Sequence, residues 1–548
     1  MMGAIMRSYC DHYASWEKDF MKQRWLLYLL MACLGVAHAQ TFTLWPSGGL
    51  QILILSLAWA VVATVKPDQR PARQMFVFAL AWMVSGLYWL HFSMHDIGGL
   101  PTALSVLAIV GLSCYLASYY ALAAWLWRRF FTQRQAADYG VALPMLWLVA
   151  ELARGYVFGG FPWLMTGYAQ VDNLLLKGFF PVVGAYGVSA LAALLSGVLT
   201  LLWVNLRAKQ GQFSMRAWVF VGLSALVVGV LGLIAQGVNW GKPIGSPVSV
   251  RVFQPNVAQT IKFDPEEIAR TTRNTLMGAI NSTAQLTVFP ETVMPYPWSQ
   301  APEQGLLALR DALKNAKESG QNRAVLLGGV GIQGAQYFNS GLWLDANQDV
   351  FNPPRYDKIH LLPFGEMIPW GFQWFVDAMQ IPLGGYGYGQ SRQPFDLNTS
   401  NGTVKVATNI CYENVFGEEL AAFHVAGQAP NIWVNQTNLG WFGDARTSPA
   451  HVQFLAMSQA RAMELARPMI VVTNTGISAH IAPDGAIVAD LPAQKEAVGN
   501  WSVQPYDGQT PFIAWRNVPL FVLLIVFGAW LYWDKLRQRR HEANFRLK

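Results

Sequence analysis

Residues 217–253 read AWVFVGLSALVVGVLGLIAQGVNWGKPIGSPVSVRVF, and the fold turns on how this stretch changes character midway. From Ala217 to Asn239 it holds no acidic or basic side chain. A helix needs about 20 such residues to cross the hydrocarbon layer of a bilayer. Past Trp240 the apolar run stops. Val248–Phe253, short, Val-rich and preceded by Gly and Pro, reads instead as a buried strand. A membrane span therefore hands over directly to a domain of another kind.

Working outward from that boundary, the 548 residues divide sharply. The whole chain is 53% hydrophobic and only 13% charged, with mean hydropathy +0.25. Soluble domains carry roughly 25% charged residues, so the composition is that of a membrane protein. The 23 Trp and 30 Phe exclude a disordered chain, and four Cys cannot form a disulfide framework. The formal charge of +7 is unevenly placed. Residues 240–510 hold 17 Lys+Arg against 22 Asp+Glu, a net of −5, which leaves +12 for the apolar remainder.

Apolar runs of spanning length lie near 25–41, 48–65, 75–93, 101–127, 141–158, 178–205, 217–239 and 512–533. Nineteen Lys and Arg fall in the N-terminal segment, the second, fourth and sixth loops, and the C-terminal tail. Alternate connections are nearly bare. By the positive-inside rule both termini are expected in the cytoplasm and 240–510 outside it. Nucleic acid drops out as a partner, because the basic residues mark topology. Ala37-His38-Ala39 has the form of a signal-peptide cleavage site, but more spans follow and an uncleaved anchor is expected. Met21 makes a conventional start, so residues 1–20 read as an extension.

The expected organisation is a cytoplasmic segment 1–24, seven spans over 25–239, an outer domain at 240–510, an eighth span at 511–533 and a basic tail at 534–548. Within the outer domain, Val248–Phe253, Leu286–Phe289, Ala324–Leu327, Thr403–Ile410, Asn431–Val434 and Met469–Thr473 read as buried strands. Residues 303–318 and 451–466 read as amphipathic helices. Strands alternating with helices over about 270 residues argue an α/β domain.

Cys411 is the only Cys in that domain, so it has no intradomain disulfide partner. It ends a strand and opens Cys411-Tyr412-Glu413-Asn414, a strand-to-turn position where a nucleophile is commonly exposed. Phe289-Pro290-Glu291 places a carboxylate just after another strand. Lys358-Ile359-His360-Leu361-Leu362-Pro363-Phe364-Gly365-Glu366 brings one Lys and a second carboxylate around an apolar stretch.

Taken in order, Pro-Glu, Lys-x-His-Leu-x-Pro-Phe-Gly-Glu and Ile-Cys-Tyr-Glu resemble the Glu-Lys-Cys constellation of the nitrilase superfamily. A domain of that kind inserted before the last of eight spans resembles the apolipoprotein N-acyltransferase family. Gly86-Leu87-Tyr88-Trp89 with Gly98-Gly99-Leu100-Pro101, Glu151–Gly155 with Gly160-Phe161-Pro162-Trp163, Trp441–Asp444, Arg461–Pro468 and Thr473–Ile477 look like further family segments. Three departures stand out. Leu439 occupies the place of an acidic residue, the stretch 445–453 is about three residues longer, and Thr475 replaces a common Asn.

The resemblance implies a polytopic helical bundle carrying an extracytoplasmic α/β domain built as an αββα sandwich, in a bacterial inner membrane with the catalytic domain in the periplasm. It implies acyl transfer from a phospholipid, through a thioester on Cys411, to the amine of a diacylglyceryl-cysteine on an apolipoprotein. Glu291 would be the general base. Lys358 would lower the pKa of the Cys411 thiol and stabilise the oxyanion. Glu366, Glu413 and Tyr412 would support the site, and Trp441, Phe442, Arg154 and Trp163 would contact substrate. No metal, cofactor or nucleotide is required, and a monomer is expected. A membrane-tethered amidase and a degenerate lipid-binding scaffold are the alternative readings. His360, His424, His451 and His480 lack metal-ligand spacing and read as structural. The glycine-rich run Gly384–Gly389 suits a mobile lid better than a phosphate cradle. Trp370, Phe372, Trp374 and Phe375 read either as core or as a patch dipping into the outer leaflet.

Overall fold

The computed structural model describes residues 24–66, 70–131, 136–207, 215–368, 371, 373, 385–425 and 427–546. Trp370, Phe372, Trp374, Phe375, Gly384 and residues 1–20 lie outside the described residues.

Helices form where the apolar runs lie: α1 (24–40), α2 (Gly48–Thr64), α3 (Pro71–Leu87), α4 (Thr102–Phe130), α5 (Leu143–Tyr156), α6 (Phe180–Arg207) and α7 (Met215–Gly237). Among the described residues five helical stretches are long and apolar enough to cross a membrane: Thr102–Phe130, Asp138–Gly159, Lys177–Leu206, Trp218–Gly237 and Val518–Arg537. The 17 residues of α2 and of α3 give about 26 Å at 1.5 Å per residue. The bundle interior is aromatic. Trp59, Trp82, Trp127 and Trp147 are fully buried, with Trp82 and Trp147 stacked 6.2 Å apart.

Two spans are less regular than a hydropathy pattern shows. In α6, Gly184 takes φ 63° and breaks the helix, and a Cβ there would collide with the Phe512 ring. Only glycine meets both demands. The last apolar run is also split: α12 (Pro511–Trp515) and α13 (Val518–Arg546) are separated at Arg516, which has φ 50°.

The chain between α7 and α12 builds two six-stranded sheets. The first, in order β13-β2-β3-β4-β5-β6, uses β2 (Val248–Gln254), β3 (Leu286–Val288), β4 (Ala324–Gln333), β5 (Gln336–Asp345), β6 (Arg355–Asp357) and β13 (Ala497–Val503). The second, β12-β11-β10-β9-β8-β7, uses β7 (Phe395–Thr399), β8 (Gly402–Ile410), β9 (Ile432–Thr437), β10 (Met469–Thr473), β11 (Ser478–Ile481) and β12 (Ile487–Leu491). Val250, Val252, Leu286 and Leu326 of one sheet share a core with Val404, Val406, Val434 and Val472 of the other, so the sheets stack face to face. Helices α8 (Pro265–Ile280) and α9 (Glu303–Glu318) cover the outer face of the first sheet through Leu276, Leu306, Leu309 and Leu313. On the second sheet lie α10 (Gly417–Ala421) and α11 (Ala450–Leu465). The result is the expected four-layer αββα sandwich. The short strands β1 (Gly241–Pro243) and β14 (Tyr506–Gly508) pair antiparallel where the chain enters and leaves it.

Helix α11 departs from the amphipathic reading. Almost every side chain on it is buried, including His451, Gln453, Ser458, Gln459, Arg461 and Glu464. It lies between the sheet and the bundle: Gln453 and Glu464 bond to bundle groups, Ser458 and Gln459 to sandwich groups, and Phe454, Met457 and Met463 belong to the same core as α2–α6. Polarity on this helix therefore marks a seam between protein surfaces, and not solvent.

Candidate active site

Parallel strands leave their C-terminal ends free to carry loops, and three such loops meet here. Strand β8 runs through Ile410 and stops at Cys411, whose φ of 51° turns the chain into the 3₁₀ segment Cys411–Val415. A non-glycine residue in this region costs about 1–3 kcal/mol and must be held there. Glu413 does the holding. One of its carboxylate oxygens accepts the Ile410 N–H at 2.7 Å; the other accepts the N–H of Ile359 at 2.6 Å, that of His360 at 3.1 Å and the Tyr356 hydroxyl at 2.8 Å. The nucleophile loop is thereby fastened to the loop that carries Lys358.

Lys358 follows β6 and is fully buried. Its Nζ donates to Glu366 Oε2 at 2.7 Å and lies 3.8 Å from Glu291 Oε1. Asn339, on β5, bridges the same two carboxylates, its Nδ2 donating to both Glu291 Oε1 and Glu366 Oε1 at 2.7 Å. The second oxygen of Glu291 accepts the Asn438 N–H at 2.9 Å, and Glu366 Oε2 accepts that of Leu362 at 2.8 Å. Glu291, Lys358 and Cys411, far apart in sequence, are thus brought within electrostatic reach of one another, with Glu366 bonded to Lys358 and Glu413 to the two loops.

The electrostatics depart from one expectation. Burial pushes the Cys411 thiol up to about 12; Glu291 pushes in the same direction, and Lys358 and the Thr437 hydroxyl only partly oppose them. The lysine does pull the thiol down, but burial, with Glu291 adding to it, outweighs that pull in the resting protein. Burial alone would strip the Lys358 proton, but Glu366, then Glu291, outweigh it and hold the ammonium above its ordinary range. Glu413 is raised by burial against the N–H groups it accepts. The resting arrangement is a neutral thiol beside a fixed cation and the Glu291 carboxyl group.

Several site residues were not singled out in the sequence. Asn339 is one, although a buried Asn between Phe338 and Leu342 on a strand was the available signal. Thr437 and Asn438 end β9 beside the site, and Gln436 Nε2 donates to the Phe289 carbonyl at 2.7 Å. Lys262 is buried and donates to Thr292 Oγ1 at 2.7 Å. Burial pulls Lys262 down to about 8, against the attraction of Glu291. It lines a pocket with Pro255, Val257, Pro290, Glu291 and Asn474.

The substrate-contact candidates divide. Trp441 is 39% exposed, and its carbonyl accepts the Ser93 hydroxyl at 2.5 Å. Phe442, Trp163 and Arg154 are buried, contrary to an outward-facing role. Phe442 packs on Trp89 and Trp163, with centroids at 4.3 and 5.8 Å. Both indole N–H groups donate to Gln453 Oε1 of α11, at 3.2 Å from Trp89 and 2.7 Å from Trp163. Arg154 is paired with Glu151 at 2.8 Å and donates to the Phe161 and Trp163 carbonyls. These residues build the seam between bundle and sandwich. Tyr412 joins it too, its hydroxyl donating to the Gly160 carbonyl at 3.0 Å.

Other elements settle into protein contacts. Leu439 is buried, and the lengthened 445–453 stretch is tied to the bundle by the Tyr88 hydroxyl on the Thr447 carbonyl. The described part of the glycine-rich run is fastened and not lid-like: Gly387 N–H donates to Tyr337 at 2.7 Å and Gly389 N–H to the Lys358 carbonyl at 2.8 Å. A Cβ at Gly389 would collide with the Asp357 carbonyl, so glycine is needed to bring this strap against the lysine loop. His360 pairs with Glu419 at 2.8 Å and stacks on Phe416, His451 meets the Gly443 carbonyl, and burial pulls His424 down to about 3 and His480 to about 4.

Comparison with known proteins adds two matched regions. Residues 30–198 match the family described as apolipoprotein N-acyltransferase N-terminal domain, and residues 249–508 match carbon-nitrogen hydrolase. The chain is 38% identical over 500 residues to the apolipoprotein N-acyltransferase of Ralstonia nicotianae, covering 89% of this chain and 90% of that protein. It is 34% identical to the protein of the same name from Bordetella bronchiseptica, covering 91% and 95% respectively. With the Nitrosomonas europaea protein of that name the identity is 34%, covering 90% and 94%.

Proposed function

The chain belongs to the apolipoprotein N-acyltransferase family, and from that premise we propose that it moves an acyl chain from a phospholipid to an apolipoprotein through Cys411. The observation that carries the mechanism is the Lys358 ammonium, held between Glu366 and Glu291 beside a neutral Cys411 thiol.

In the first half-reaction Glu291 takes the thiol proton as Sγ attacks the ester carbonyl of the phospholipid. The C–S bond forms, and the carbonyl electron pair becomes an oxyanion facing the Lys358 ammonium. Such a donor typically contributes about 2.7–4 kcal/mol. Collapse breaks the C–O bond, and the lysophospholipid leaves with the proton from Glu291. In the second half the amine of a diacylglyceryl-cysteine attacks the thioester, and its proton passes to Glu291. The C–N bond forms and the C–S bond breaks. The departing sulfur regains the proton, and an amide is released. A high resting thiol pKa suits this cycle, since a thiolate forms only when a carbonyl is in place to receive it.

For the setting we infer eight spans, with the sandwich (240–510) inserted before the last and lying on the periplasmic side of a bacterial inner membrane. The Lys and Arg distribution supports the orientation, and the five spanning-length helices, with α1, α2 and α3, support the count. Trp441 is the substrate-facing candidate we retain, as the exposed member of its group. A reporter fused after Ala301 that is active only in the cytoplasm would refute the orientation. Activity is tested by incubating the purified chain with phospholipid and a diacylated lipopeptide. Triacylated peptide with an amide-linked chain is expected. Free fatty acid without N-acyl peptide would favour a membrane-tethered hydrolase.

A further inference from the structure

Beyond α3, His91 caps a π-helical turn, Phe92–Ile97, that contains His95 and Asp96. Nothing in the acyl-transfer chemistry uses these three residues. Each offers one ligand atom, and the three atoms lie within 4.8 Å of one another. The two imidazole rings stack with centroids 4.8 Å apart and planes inclined by 20°.

The hydrogen bonds fix which nitrogen of each ring is available. His95 Nδ1 lies 2.7 Å from the Leu100 carbonyl, which only accepts, so Nδ1 carries the proton and Nε2 the lone pair. His91 Nδ1 lies 2.7 Å from Ser105 Oγ. When Ser105 gives its one hydroxyl proton to the Thr102 carbonyl at 2.9 Å, it accepts from His91. In that arrangement His91 is also an Nδ1–H tautomer, with Nε2 left for a ligand. Among the described residues, the only other polar contact at His95 Nε2, besides Asp96, is the Thr102 hydroxyl at 3.5 Å. Asp96 Oδ1 stands 4.0 Å from that nitrogen, with its side chain 52% exposed. Holding Nδ1–H on a carbonyl or hydroxyl is how proteins aim Nε2 at a metal, and the i,i+4 spacing puts both rings on one side of the turn.

We propose that His91, His95 and Asp96 form a binding site for a divalent transition metal of the zinc class, distinct from the Cys411 centre. Two neutral imidazoles and one carboxylate suit such an ion with solvent in the fourth position, whereas magnesium and calcium ask for oxygen ligands alone. The site adjoins the loop that reaches the catalytic carboxylate. Ser93 holds the Trp441 carbonyl, the Phe92 ring fills the space over Gly443, and Asn438 of the same loop donates to Glu291.

The test uses the full chain in detergent, stripped of metal, in a Cys411→Ala background so that no site thiolate competes. Titration with Co²⁺ is expected to give one ion per chain, with a visible spectrum lacking a sulfur charge-transfer band and abolished by Zn²⁺. The His91→Gln/His95→Gln double variant should bind none. Asp96→Asn, at an exposed side chain that cannot unfold the protein, should weaken binding. Ser105→Ala, which frees the His91 ring, should weaken it about 10–100-fold. Absence of stoichiometric Co²⁺, or binding that the double variant retains in full, would overturn the proposal.

Discussion

Two buried cation–carboxylate groups invite comparison. In the bundle, Arg154 and Glu151 pair with one another and bond to their surroundings, with Arg154 Nη2 left unpartnered among the described residues. The guanidinium donates to Glu151 and to the Phe161 and Trp163 carbonyls, while Glu151 accepts the N–H and hydroxyl of Thr166. One positive charge meets one negative charge. At the strand ends, Lys358 faces two carboxylates, Glu366 and Glu291, with Cys411 beside them. There Glu366 and Glu291 hold the ammonium charged against its burial, while burial, with Glu291 adding to it, keeps the thiol neutral. On the proposed function the second carboxylate, Glu291, is the group that takes the thiol proton, whereas the Arg154–Glu151 pair holds structure.

The contrast is sharpest at the nucleophile. Cys411→Ala should lower transfer about 10⁴-fold or more, as nucleophile removal does elsewhere, with little change in thermal unfolding; lipopeptide turnover measures it. Arg154→Met should do the reverse. It strands Glu151 in the bundle and is expected to cost about 3–5 kcal/mol of stability, read by thermal unfolding in detergent, while the turnover of molecules that remain folded is preserved. Lys358→Met should lower kcat about 10²–10³-fold. If Arg154→Met abolished kcat in folded protein, or Lys358→Met left it intact, the comparison would fail.

The thiol supplies a pH test. Its folded-state value lies near 12, above the ordinary 9.0, so the folded chain holds this proton more tightly than the unfolded one. That stabilisation is complete below about pH 9 and is lost as pH rises toward 12. Cys411→Ser should flatten this alkaline limb of the stability profile. Alkylation of Cys411 by a small reagent should climb about tenfold per pH unit with no plateau below pH 10; a plateau near 8.5, the free-thiol value, would contradict that raised value. The smallest effect is at the seam. Tyr412→Phe removes one hydrogen bond, to Gly160, and should cost about 0.5–1.5 kcal/mol of stability with a small change in kcat.

What was legible in the sequence follows from what burial does to composition. The helices of the bundle are nearly pure apolar runs, and strands such as β2, β3, β8 and β10 are short and rich in Val, Leu and Ile, so they could be placed closely. Cys411, Glu291 and Lys358 were singled out because Pro-Glu, Lys-x-His-Leu-x-Pro-Phe-Gly-Glu and Ile-Cys-Tyr-Glu, in that order, resemble the nitrilase superfamily constellation. Helix α8 was missed because threonines fill much of its buried face: Thr271, Thr272 and Thr275 stand with Leu276 and Ala279. Strand β5 was missed because Asn339, Ser340 and Gly341 interrupt its apolar pattern. Asn339 is there to bridge two carboxylates, and that need is visible only once the strand is next to them. The same holds for α11, where Gln453, Arg461 and Glu464 read as a solvated face but meet Trp89 and Trp163, Val415 and Ala185. Sequence pattern distinguishes polar from apolar. It does not say whether a polar face meets water or a second protein surface.

The central claim is that Cys411 carries the acyl chain. Mass spectrometry of the Cys411 peptide, after exposing the purified chain to phospholipid without acceptor, tests it directly. The account predicts a mass increase of one thioester-linked acyl group on Cys411, with one lysophospholipid released per adduct, and loss of the adduct on adding the acceptor lipopeptide. Acyl transfer proceeding with no adduct on Cys411, or with the adduct on another side chain, would contradict it.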